Sequence, residues 1–360
     1  MLRADENPSR SLYFLNWWLD AAAIGGLSIV AFVVARLFAG GGERTLEIAQ
    51  AAAILSVFVN YPHFSATVYR LYESRDSARQ FPVTSYGLPF VLLAAVAASL
   101  WQPELVAPYF ILLFLIWSPY HYSGQTLGIT MIYARRAGFG IGQWQRFALS
   151  TFIFSTFVVA LVHRQRVEPT GSYGVILPAI AFPDWFEPVV TTAMWAGAAV
   201  FLWFIIGWCR ARRQMLPPIV LLPAVSQYVW FMPGMQTAAF YEFVPLFHSL
   251  QYLYIAWAMQ VGLHVGREGQ ERSWRSIRAV SVKWGLWNYV GGILLFIALP
   301  WLFFWVPLPM ALIAGVLIAA VNIHHFFVDG VIWKLRHAPS TSPLMTNVAD
   351  LAAPPRAAQA

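Results

Sequence analysis

Long apolar runs separated by short polar stretches set the pattern of this chain from Leu12 to Lys334. A helix needs roughly 20 residues to cross the hydrocarbon core. On that measure the runs predict ten membrane-spanning helices, at about 12–38, 46–70, 86–101, 105–133, 147–163, 188–209, 216–232, 238–263, 284–305 and 308–334. The first run starts too early and is too long for a cleaved leader, so it reads as a span. Beyond it the pattern repeats without a change of character, which makes 1–336 one transmembrane domain. The chain then turns to Pro, Ser and Ala, and 337–360 reads as a disordered cytoplasmic tail. The expected fold class is all-α: a polytopic integral membrane protein.

Composition agrees, since 59% of the residues are hydrophobic, 11% are charged and the mean hydropathy is +0.59. Soluble domains carry about 25% charged residues, so the solvent of this chain is lipid. A net charge of +7 could suit a nucleic-acid surface, but the placement of the charge argues otherwise. With a cytoplasmic N-terminus, one side receives Arg3 and Arg10, then Arg70, Arg75 and Arg79, then Arg135, Arg136 and Arg146. It also receives Arg210, Arg212 and Arg213, the run from Arg267 to Lys283, and Lys334, Arg336 and Arg356. The opposite side keeps only Arg36, Arg44, Arg164 and Arg166. That bias follows the positive-inside rule and suits an anionic inner leaflet. It puts both termini in the cytoplasm, makes membrane lipids the partner rather than nucleic acid, and points to a bacterial cytoplasmic membrane. One cysteine, Cys209, excludes an internal disulfide and thiolate metal cages.

Against this apolar background the histidines stand out. His163, His264 and His337 fall at span ends or in the tail, whereas His63, His121, His248, His324 and His325 fall inside spans 2, 4, 8 and 10. All four spans run towards the cytoplasm. At about 1.5 Å per residue these histidines lie roughly 10 to 28 Å from the arginines that follow them, in one layer. Ser56, Asn60, His63, Thr67 and Arg70 form a polar stripe on span 2, and such a stripe faces protein or water. Span 4 stacks Trp117, His121, Gly124, Gln125 and Gly128 on one face, the glycines suited to close helix approach. Span 8 groups His248 with Gln251 and Tyr252. On span 10, Asn322, His325 and Asp329 share a face, with His324 about 100° away. Pro62, Pro119 and Pro245 precede three of these histidines and are expected to bend their helices. Asp20 reads as a helix-packing group.

Imidazole suits Fe, Cu and Zn rather than Mg or Ca. The HxxxH and HxxHH boxes of membrane desaturases are absent, as are Glu-x-x-His pairs and HExxH. An all-histidine mononuclear centre remains, with His63, His121, His248, His324 and His325 as candidate ligands. A four-histidine iron centre of this kind resembles, in architecture only, the membrane carotene dioxygenases that make retinal. Asp329 and Tyr252 are candidate catalytic groups, and Asn60, Gln125 and Asn322 are candidates to orient the ligands. Tyr120 and Tyr122 are further candidates for hydrogen bonding. The expected function is an oxidoreductase that uses non-haem iron, or copper, and O₂ on a lipophilic small molecule. Other readings stay open: a metal-free acyl or glycosyl transferase with His325 as base, a transporter or proton relay, or a bis-histidine haem protein. Asp329 could also simply pair with Lys334.

Overall fold

A computed structural model describes residues 11–38, 43–165, 171–267, 271–333 and 343–352. In chain order its principal helices are α1 (Trp17–Phe38), α2 (Glu43–Tyr72), α3 (Val83–Trp101), α4 (Ala107–Arg136) and α5 (Gln143–Gln165). They continue as α6 (Phe186–Arg212), α7 (Leu222–Phe231), α8 (Val244–Val265), α9 (Trp274–Trp301) and α10 (Met310–Ile332). Among the described residues the fold is all-α apart from a small hairpin, Gly171–Ser172 against Val175–Ile176, in the α5–α6 connection.

Seven of these helices, all except α4, α7 and α8, are long and apolar enough to cross a membrane. Such helices suggest a membrane protein, and the many exposed Trp, Phe and Leu side chains agree with that. Helices α4 and α8 have the length, at 30 and 22 residues, but carry polar groups in the middle of their apolar runs. Helix α7 is different. The stretch expected to span at 216–232 holds a helix of 10 residues, about 15 Å long, half the depth of a bilayer core. Pro217, Pro218, Pro223 and Pro233 bound its short turns, since proline favours the first turn of a helix and cannot continue a preceding one. The run at 238–263 is likewise divided, into Ala238–Tyr241 and α8.

Pro62 and Pro119 lie within α2 and α4 as expected, but Pro245 does not bend a helix. It occupies the first turn of α8, where its missing N–H costs nothing and its fixed φ favours helix initiation. Helix α9 lies close on α2 at the turn that carries His63. A side chain at Gly292 would collide with the backbone of Tyr61 and Pro62, and one at Gly291 with Ser65. These two glycines let α9 press directly on α2 around Pro62.

Residues 343–352, within the stretch whose composition suggests disorder, are ordered. Leu344, Val348 and Leu351 are buried in the largest apolar cluster beside Phe14, Tyr133 and Met259. Buried Arg136 donates to the carbonyls of Ser11 and Tyr13 and to those of Leu344 and Thr346. Asn347 donates to Ser11 Oγ and the Tyr13 carbonyl. Three apolar side chains at a spacing of three or four and one buried guanidinium thus outweigh a polar average composition. Asp20 packs helices, accepting from Phe14 N, Leu15 N, Tyr133 Oη and Tyr254 Oη.

Candidate metal centre

Four helices deliver one imidazole each to a single point: α2 His63, α4 His121, α8 His248 and α10 His325. One ring nitrogen from each lies within 4.8 Å of all the others. Around the group the ring centroids are 5.0 Å apart for His63 and His248, and 5.1 Å for His248 and His121. They are 4.7 Å apart for His121 and His325, and 4.3 Å for His325 and His63. Each ring stands at 73–83° to its neighbours. His63, His248 and His325 are all 1% exposed.

The hydrogen bonds on the outer side of this ring settle which nitrogen faces inward. Ser249 Oγ has one proton, and donates it to Asn60 Oδ1 at 2.7 Å. It is then an acceptor towards His63 Nδ1, 2.9 Å away, so that nitrogen carries the hydrogen and Nε2 is left with a lone pair. Thr67 does the same for His325. Its Oγ1 lies 2.9 Å from His325 Nδ1 and donates to Tyr252 Oη at 2.6 Å, which leaves His325 Nε2 a lone pair. His325 Nε2 then accepts from His121 Nε2, 3.0 Å away. Two imidazole ligands on bonds of about 2.1 Å at a right angle would stand about 3.0 Å apart.

His63 Nε2 and both nitrogens of His248 are buried without a hydrogen-bond partner among the described residues. An unpaired buried polar atom costs about 1–3 kcal/mol. With one ring nitrogen from each of four histidines this close together, a shared cation would satisfy them. The donor set, four imidazoles with no thiolate, suits a borderline transition metal, so the cluster can hold a metal ion. A spread of 4.8 Å exceeds twice a bond of about 2.1 Å, so the group would contract by about 0.6 Å around an ion.

Asp329, one turn past His325 on α10, joins the group from the C-terminal side of that helix. Its Oδ2 lies 3.4 Å from His325 Nε2 and 3.6 Å from His121 Nε2. Its Oδ1 accepts from Tyr252 Oη at 3.2 Å and lies 3.3 Å from Thr67 Oγ1. Trp333 Nε1 reaches the same tyrosine at 3.4 Å. Lys334 lies outside the described residues.

The expected site residues thus divide. His63, His121, His248 and His325 come together, with Asp329 and Tyr252 beside them and Asn60 behind His63. His324 does not join them: one residue along a helix is a turn of about 100°, and the ring leaves the cluster's face. Asn322 bonds back to the Ile318 carbonyl of its own helix. Gln125 orients no ring either. It donates to the backbone carbonyl of His248 at 2.9 Å and so ties α4 to α8. Tyr122 packs on the His248 ring at 4.1 Å, while Tyr120 lies half exposed against Phe154. His163 is exposed, and His264 pairs with Glu73 at 3.3 Å. Ser249 and the part played by Thr67 were not singled out beforehand. Thr67 sits one turn below His63 on the polar stripe, and that position was the available signal.

A cavity of about 740 Å³ opens against this centre, between α4, α5, α8 and α10. Gly124 and Gly128 line it, and a Cβ added to either would meet nothing within 4 Å. These glycines therefore keep space open instead of bringing helices together. Compared with protein-family models, curated proteins and solved structures, the chain matches none of them.

Proposed function

We propose that the protein is a membrane metalloenzyme in which His63, His121, His248 and His325 hold one iron ion that uses O₂ to oxidise a lipophilic molecule. The observation that carries this reading is the convergence of four ring nitrogens within 4.8 Å of one another, with His63 Nε2 and both nitrogens of His248 buried without a hydrogen-bond partner among the described residues. Iron would supply binding and activation of O₂. An all-nitrogen set can also take copper. If both oxygen atoms enter the substrate, no outside electrons are needed. Hydroxylation or desaturation would draw two from an external donor.

The chain's own residues have clear parts in this scheme. Ser249 and Thr67 hold the tautomers of His63 and His325. Asp329 would offset one unit of the ion's charge, and Tyr252 Oη donates a hydrogen bond to Asp329 Oδ1 at the edge of the cavity. The apolar wall of the cavity keeps water from the oxidising centre. The metal-free transferase reading is less well supported. A His–Asp base pair needs the carboxylate on one ring nitrogen and the substrate on the other. Here Asp329 faces the same Nε2 atoms that face each other, and His325 Nδ1 is taken by Thr67. A haem between two opposed imidazoles fits poorly where four converge.

The topology belongs to the same proposal: ten passages through a bacterial cytoplasmic membrane with both termini inside, α7 and its flanking turns making one of them. Nitric oxide, as a stand-in for O₂, tests the chemistry. Iron-loaded protein is expected to give a nitric oxide-dependent EPR signal that is lost in His325→Ala. Iron-loaded protein with no such signal would contradict an open coordination position.

A further inference from the structure

The cavity beside the histidines has polar groups at its two ends and apolar groups between. Its floor is one stripe of α4, running from Trp117 through His121, Gly124 and Gly128 to Ile132. Fifteen residue steps along the helix make it about 22 Å long. Leu127, Met131, Phe154, Ile255 and Phe326 supply apolar walls. Gly330 on α10 faces it too, and like Gly124 and Gly128 it leaves open space where a side chain would stand. His121, Gln125, Tyr252 and Asp329 mark the inner end, and Arg146 lies at the other, on the first turn of α5. Arg146 is exposed, and no ion pair to it is formed among the described residues. Trp144 and Phe147, on the same turn, are 71% and 64% exposed and touch edge to face. Such aromatics sit at headgroup level in a membrane, which sets the height of Arg146.

We infer that this groove binds a single-chain lipid with an anionic headgroup, the headgroup on Arg146 and the chain running along Gly128 and Gly124 to the histidines. The inference rests on the proposed oxidation only for what happens at the inner end. A guanidinium at the mouth of an apolar slot complements a carboxylate or phosphate, and such charge-assisted bonds are roughly twice as strong as neutral ones. A stripe one helix face wide admits one chain. Ile132 lies eleven residues beyond His121, so the reacting position would be about 16 Å from the headgroup, well down the chain.

The test uses full-length protein in nanodiscs, titrated with hexadecanoate and with hexadecanol by displacement of a spin-labelled fatty acid. The acid is expected to bind at least about tenfold tighter than the alcohol, as one charged hydrogen bond implies. That preference should vanish in Arg146→Gln and persist in Arg146→Lys. Gly128→Phe, or Gly330→Leu if that variant folds poorly, should abolish binding of both ligands. Metal content should be unchanged in every variant. Equal affinities for acid and alcohol overturn the inference, as does an acid preference that survives both Arg146→Gln and Gly128→Phe. A protein without metal that keeps the preference would sink the proposed oxidation and leave this inference standing.

Discussion

Thr67→Val keeps the shape of the side chain and removes the hydroxyl on which His325 is held. That oxygen lies 2.9 Å from His325 Nδ1, 2.6 Å from Tyr252 Oη and 3.3 Å from Asp329 Oδ1. Tyr252 keeps Asp329 and Trp333 as partners. His325, at 1% exposure, keeps none for its Nδ1–H. An orphaned buried donor costs about 1–3 kcal/mol. Losing the partner that orients a ligand imidazole costs about 10- to 100-fold in metal affinity, or about 1.4–2.8 kcal/mol. The two estimates agree because they describe the same bond. Chelator competition on purified protein measures it, with thermal unfolding to show that the variant folds. Thr67→Val should bind iron about 10- to 100-fold more weakly, and Thr67→Ser should stay near the parent. A folded Thr67→Val with unchanged affinity would refute the reasoning, since His325 would then not depend on that hydroxyl to present Nε2.

Further expectations concern the ligands, the carboxylate, the topology and the C-terminal segment. His325→Ala should lose metal while His324→Ala, His163→Ala and His264→Ala keep it; equal loss in His324→Ala would put the wrong face of α10 at the centre. Asp329→Asn should weaken iron binding by roughly 10- to 100-fold, with activity partly restored by added iron; collapse that no metal rescues would favour the metal-free base. Reporter fusions after Arg79, Arg146, Arg213 and Lys283 should read cytoplasmic and those near Glu104 and Val306 external. A fusion near Pro233 that reads cytoplasmic would show that α7 and its turns do not cross. Deleting 343–360 exposes the sites of Leu344, Val348 and Leu351, worth up to about 5–9 kcal/mol together. A thermal midpoint unchanged by that deletion would contradict the packing.

Much of the centre was legible in the sequence because a membrane makes polar residues expensive. Four even-numbered spans each carried an imidazole at similar depth, and Asn60 lay three residues before His63 on the same stripe. His324 and His325 could not be separated by depth, only by face, and the face argument also selected Asn322, which bonds to its own helix. Glycines on a polar stripe have two readings, contact or space, and only the neighbouring helices decide between them at Gly124 and Gly128. Ser249 was hidden because a serine beside a histidine in sequence carries no signal until α2 is packed against α8. The short α7 and the start of α8 escaped a hydropathy reading because proline changes helix continuity while leaving a run apolar.

The central claim is that four imidazoles hold one metal ion, and elemental analysis with X-ray absorption on the purified protein tests it most directly. The account predicts one transition metal per chain, iron in the native source, with imidazole scattering and no sulfur in its coordination. Active protein that contains no metal, or metal retained in full when His63, His121, His248 and His325 are all changed to Ala, would contradict it.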